Sequence, residues 1–159
     1  MDNENSTSSI RRQNQIAFRK VLTDSQTTFR WLSLALEPLV TDDREIIDTF
    51  LAVAKTHPKL IFQIIVADDH LLHFKRHRLI GLMQRLSSSF EVRRYHSPDN
   101  CPLTTAFAMS DSSAYVRPIA TQWHCELVTE PAQLKSLETQ FLEHWHMAER
   151  FNPFQRLNL

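Results

Sequence analysis

The chain alternates between two hydrophobic rhythms. Ile46, Ile47, Phe50, Leu51, Val53 and Ala54 recur at helical spacing after Thr41-Asp-Asp-Arg-Glu45. Asp42 with Glu45 reads there as a capping-box-like start. His57-Pro58 closes that helix, because the residue before proline disfavours the α region. Lys59-Leu-Ile-Phe-Gln-Ile-Ile-Val-Ala67 is a continuous, β-branched run of the kind buried on both faces. Thr28-Phe-Arg-Trp-Leu-Ser-Leu-Ala-Leu36 is similar and ends at Glu37-Pro38.

The same reading extends over the rest. Ile10 to Leu22 form a first helix, preceded by a polar, disordered lead over residues 1–9. A third helix runs from about Leu71 to Leu86 and stops at Ser87-Ser-Ser89. Phe90 to Tyr95 alternate as a strand. A hairpin follows, Thr104–Met109 and Ala114–Ile119, with Asp111 at its turn. Trp123–Val128 adds an edge strand. Pro131 opens a last helix whose stripe is Leu134, Leu137, Phe141, Leu142 and Trp145. The order predicts one α/β domain over residues 10–159. It has parallel strand-helix units, then an antiparallel hairpin, in a mixed sheet with helices on both faces.

Composition narrows the functions. Net charge is zero, so no bulk attraction to nucleic acid or membrane exists. No apolar run approaches the roughly 18 residues of a membrane span. The N-terminus lacks the basic and apolar regions of a signal peptide, which predicts a cytoplasmic protein. Cys101 and Cys125 form no CxxC pair and read as reduced thiols. Gly81 is the single glycine. P-loops, Rossmann turns and acetyl-CoA pyrophosphate loops need several, since backbone must pass close to phosphate.

Charge is nevertheless polarised. Between His70 and His96, Lys75, Arg76, Arg78, Arg85, Arg93 and Arg94 stand against Glu91 alone. Between residues 126 and 149, Glu126, Glu130, Glu138, Glu143 and Glu149 stand against Lys135. The basic stretch reads as a phosphate or nucleic-acid surface, or as the complement of the acidic helix across a homodimer. Solvated faces with some dimer complementarity are the favoured reading. No aromatic residues interleave the helical arginines, so nucleic acid is weakly supported.

His70, His73 and His77 fall on one face of the predicted helix, within about 60°. The apolar face, from Leu72, Leu79, Ile80, Leu82, Met83 and Leu86, points the other way. The histidines then face solvent or another chain; a solvated face outweighs a zinc site, and no metal is assigned. Asp68-Asp69 ends the strongest strand, where ligands sit in open α/β sheets. A cap for the following helix is the plainer role. Ser110, Asp111, Ser112 and Ser113 are turn formers before they are anion ligands.

Leu36-Glu-Pro38, Ile65-Val-Ala-Asp68, His77-Arg-Leu79, Arg93-Arg94, the Asp111 hairpin, Phe141-x₃-Trp145 and Leu157-Asn-Leu159 together resemble a phospholipase-D-type domain. They are similar in particular to small uncharacterised bacterial domains of that fold, sometimes attached to GNAT-type acetyltransferases. That family carries a His-x-Lys-x₄-Asp motif in the hairpin position. Counting back from Asp111, the Lys slot holds Ala106 and the His slot holds Thr104. The family mechanism needs a histidine nucleophile, a lysine on the phosphate and a second histidine as acid. His73-Phe-Lys75 does give a His-x-Lys, but Ile80 stands in its Asp slot.

The resemblance therefore implies a non-catalytic binding or interaction module without cofactor, whose partners are a second copy in a homodimer or an anionic, phosphate-containing ligand. Its candidate pocket, where strand ends meet the hairpin, comprises Asp68, Arg93, Thr104, Asp111 and Arg117. His73, His77 and Arg78 are candidate interface or anion contacts. Two alternatives stay open. One is a phosphodiesterase or nuclease with a rearranged site using His73, His77 or His96; the other is an accessory partner of a separate acetyltransferase.

Overall fold

The computed structural model describes residues 2–67, 77–96, 103–119 and 124–150. Seven strands form one mixed sheet: β1 (Thr28–Ser33), β2 (Ile61–Val66), β3 (Phe90–Arg94), β4 (Thr105–Met109), β5 (Ala114–Pro118), β6 (Glu126–Val128) and β7 (Glu149–Arg150). Their order is β6-β5-β4-β1-β2-β3-β7. β1, β2 and β3 run parallel, Thr28 beside Ile61 and Phe62 beside Phe90. β4 lies antiparallel to β1, with Leu32 opposite Phe107, and β5 returns antiparallel to β4. The carboxyl ends of β1, β2, β3 and β5 therefore share one end of the sheet. The β4–β5 turn sits at the other.

Helices α1 (Asp2–Asp24), α2 (Pro38–Thr41), α3 (Arg44–Thr56) and α4 (Arg78–Arg85) lie on one face. The core there is aromatic. Phe18, Phe29, Trp31, Phe50, Phe62 and Tyr115 are fully buried, with ring centroids mostly in edge-on pairs, as Phe18–Trp31 at 5.0 Å. Aromatic rings bring large apolar area from few residues. Helix α5 (Pro131–Met147) covers the other face, setting Phe141 and Trp145 against Leu32, Ile65, Phe107 and Met109. Its stripe is as predicted, with Leu134, Leu137 and Leu142 at its margins.

Several expected boundaries move, each for a local reason. The first helix starts at Asp2, through residues whose polarity predicts a disordered lead. Residues 6–9 are exposed, so they bury nothing, but extending an existing helix costs far less than nucleating one. β1 stops at Ser33 rather than Leu36, because the Leu36 N–H donates to Ser33 Oγ (3.0 Å). Leu36 and Glu37 then turn the chain in the left-handed region, at φ 66° and 45°. Asp43, not Asp42, caps α3, accepting from the Glu45 and Ile46 N–H groups. α4 begins at Arg78, so no helix runs unbroken from Leu71 to Leu86. His77 is its extended N-cap residue. Asp68, Asp69, His70, His73, Cys101 and Trp123 lie outside the described residues.

Among the described residues no helix is long and apolar enough to cross a membrane. No group of three or more His, Cys, Asp or Glu there is placed to hold a metal ion.

Candidate functional site

The described residues predicted to share one pocket are distributed over two ends and two faces of the sheet. Asp111 sits at the amino end of β1. Its carboxylate accepts from the backbone N–H groups of Gln26, Thr27 and Thr28 at 3.1–3.2 Å, and from the Thr27 hydroxyl at 2.6 Å. Partial burial opposes ionisation, but these donors outweigh it and hold the carboxyl down at about 2. Ser113 Oγ donates to Asp24 Oδ2 (2.8 Å), so the same turn is tied to the end of α1. Asp111 is thus a latch joining α1, β1 and the hairpin, away from the strand ends where the pocket was expected.

Arg93 is on the α5 face. Its guanidinium lies 4.0 Å from the centre of the Trp145 ring and donates to the Trp145 carbonyl at 2.8 Å. It also pairs with Glu91 at 3.2 Å. A cation at a helix C-terminus meets the negative end of the dipole, so this arginine fastens α5 to the sheet. Arg94 pairs with Glu149 at 3.4 Å. As strand neighbours the two arginines point to opposite faces, which breaks up the basic stretch expected from the sequence.

The remaining residues gather at the carboxyl ends, on the face of α1 to α4. Arg117 lies opposite Ala106, the slot that a lysine would fill in the resembled motif. Ala106 is 1% exposed. Its small side chain leaves the space beside it to Arg117. Arg117 Nε donates to Glu37 Oε1 at 2.8 Å, and Nη1 reaches the Pro118 carbonyl at 3.5 Å. Among the described residues Nη2 meets no acceptor. Thr104 is exposed just before β4, where its carbonyl accepts from the Ile119 N–H.

Glu37 is the residue that the sequence did not single out as chemistry. Only 7% exposed, it reaches Arg117 because two successive left-handed residues turn it back over the strand ends. Neither is glycine, so no local signal marked the turn. Burial pushes the Glu37 carboxyl up, and the Arg117 charge opposes that rise. Among the described residues its Oε2 and the buried Tyr115 hydroxyl each lack a hydrogen-bond partner. They are nonetheless near enough to perturb one another, and burial with the Glu37 charge pushes Tyr115 up. The half-buried Cys125 thiol is pushed up by burial as well.

His77 braces the turn instead of facing solvent or a second chain. It is 8% exposed. Its Nδ1 accepts from the Leu79 N–H at 3.0 Å, so the proton is assigned to Nε2, which donates to Thr41 Oγ1 at 2.9 Å. The Thr41 hydroxyl in turn donates to the Leu36 carbonyl. Burial lowers the His77 pKa, keeping the ring neutral, with Asp42 opposing. Both nitrogens are occupied, so this imidazole has no lone pair left for a phosphorus centre. Arg78 is exposed; its N–H donates to Asp42 Oδ1 at 3.1 Å.

No curated protein matches the chain. Among solved structures it is similar to TrmBL2, an archaeal chromatin protein whose structure is described as showing a novel mode of DNA binding. Identity is 12% and the TM-score 0.61; the match covers 87% of this chain and 50% of that one. The chain thus spans about half the length of that protein, and at this identity the likeness speaks for the fold alone. A family model matches residues 11–157, from the first helix past the last strand, and the chain belongs to that family, the domain of unknown function DUF7931.

Proposed function

We propose that the chain is a non-catalytic, phospholipase-D-like binding module that takes an oxyanion at Arg117. The observation that carries this reading is the state of that guanidinium. Its Nε side is held by buried Glu37, while among the described residues Nη2 meets no acceptor, on a side chain 17% exposed at the carboxyl ends of the strands. A fixed guanidinium with an open edge suits carboxylate or phosphate, and strand ends are where α/β sheets bind ligands. Exposed Thr104 nearby offers a hydroxyl. Catalysis lacks its parts: Ala106 fills the lysine slot and both His77 nitrogens are engaged.

Free phosphate and the phosphate of a nucleic acid share this chemistry. The DNA binding described for TrmBL2 makes the second source worth an arm of the test, while the pairing of Arg93 and Arg94 with Glu91 and Glu149 favours the first. Titration with inorganic phosphate is expected to saturate, and Arg117→Lys to weaken it roughly tenfold, since lysine keeps the charge without the fork. A short DNA duplex is expected to bind no better than phosphate. Bis(p-nitrophenyl) phosphate is expected to survive incubation, with or without divalent metal. Turnover abolished by His77→Ala or His96→Ala would replace this reading with the rearranged phosphodiesterase.

A further inference from the structure

We infer that oxyanion binding at Arg117 is coupled to uptake of a proton by Glu37, so that the site tightens as pH falls. The inference rests on the binding reading above and adds its regulation. The geometry supplies the coupling. Arg117 is the one cation paired with Glu37 among the described residues, through a single 2.8 Å contact between Nε and Oε1. While Glu37 is ionised, the pair is neutral and an arriving anion meets no net charge. Once Glu37 is protonated, the guanidinium carries an uncompensated positive charge at the open strand ends. The anion then takes the place of the carboxylate as counter-charge.

The second carboxyl oxygen is built to accept that proton. Glu37 Oε2 is buried, has no hydrogen-bond partner among the described residues, and is near the Tyr115 hydroxyl, which can donate to it when ionised and accept from it when protonated. The left-handed turn holds the carboxyl there, fixed through Ser33, Thr41 and His77. Burial already favours the protonated form. The charged and titratable groups around it, among the described residues, are Arg117 and Tyr115 from β5 and Cys125 from the segment before β6. Beyond them lie Asp42 after α2, with His77 and Arg78 at the start of α4. Tyr115 and Cys125 titrate above neutrality, which leaves Glu37, His77 and Asp42 as the groups that gain protons on acidification, with Glu37 the one in direct contact with Arg117.

Sulfate separates the possibilities, because it does not itself titrate between pH 8 and 5. Calorimetric titration of the full chain in buffers of different ionisation heat gives affinity and proton uptake together. Sulfate affinity is expected to rise by up to about tenfold per pH unit, with close to one proton taken up per sulfate. Glu37→Gln is expected to bind near neutrality as tightly as the unaltered chain does in acid, and to lose the uptake. The unaltered chain's own pH slope decides the matter if that variant fails to fold. Sulfate bound with constant affinity and no proton uptake overturns the coupling and leaves the binding reading intact. Absence of sulfate binding at every pH overturns both. Uptake that persists in Glu37→Gln but disappears in His77→Asn assigns the proton to His77 and overturns the coupling to Glu37.

Discussion

Asp111 and Glu37 are two carboxylates whose surroundings push them in opposite directions, and each sets a measurable stability. Asp111 accepts hydrogen bonds from three backbone N–H groups at the start of β1, so Asp111→Ala releases those donors to water and unties α1 from the hairpin. The expected cost is about 1–2 kcal/mol, comparable to losing a helix cap, read as a fall in the urea midpoint. Its carboxyl is held below the ordinary 3.8, so its stabilisation is complete above 3.8 and is lost as pH falls towards about 2. An Asp111→Asn variant should flatten that acid limb. At the other end of the sheet, Arg117→Ala leaves a buried carboxylate without its counter-charge. It is expected to cost about 3–5 kcal/mol. Glu37→Gln should cost at most about 2 kcal/mol, because the amide still accepts from Nε and the partly exposed guanidinium still reaches water. Equal losses in the two denaturation curves would mean that Glu37 is not the buried, dependent partner.

Among the elements, α4 shows most clearly what a hydrophobic pattern leaves undetermined. Leu79, Ile80, Leu82 and Met83 are buried as the periodicity requires. The start of the helix, however, is set by His77 capping Leu79, and histidine is a less common cap than serine or aspartate. Three histidines at i, i+3 and i+7 therefore looked like one exposed face, whereas the chain at His77 is extended. His77→Ala removes both the cap and the brace on Thr41 and is expected to cost about 2–3 kcal/mol. The pH dependence identifies the residue. Folding keeps His77 neutral, so its contribution is full above the ordinary 6.5 and declines as pH drops below it, until the depressed native value is reached. Glu37 acts with the opposite sign, since its raised carboxyl takes up a proton in the native state first, and its burial cost eases as pH falls towards 4.5. Stability curves of His77→Ala should lose the decline just below 6.5 and keep the acid relief. A curve unchanged by the substitution would contradict the buried, neutral imidazole.

At the scale of the whole molecule, the sheet was legible because strands covered on both faces leave long apolar runs. Phe62, Ile64, Ile65 and Val66 identify β2 without help from any partner. The aromatic core was visible only as separate residues, since Phe18, Phe50 and Tyr115 belong to three elements that meet through the fold. The site was half legible. Arg117 and Thr104 emerge at the strand ends because hairpin register follows from the turn. Asp111 could not be placed, because motif spacing does not say to which end of the sheet a turn residue belongs. Glu37 was hidden by a left-handed turn built without glycine. What results is a frame in which the end of the sheet suited to ligands carries one arginine oriented by a buried carboxylate. The most direct test of that account is a nuclear magnetic resonance titration of the full chain with inorganic phosphate, following the arginine side-chain signals. The account predicts saturable shifts at the Arg117 guanidinium and in the residues around Thr104 and Glu37, with the Asp111 turn unmoved. Arg117 signals that stay fixed while phosphate is added, or shifts confined to the Asp111 end, would contradict it.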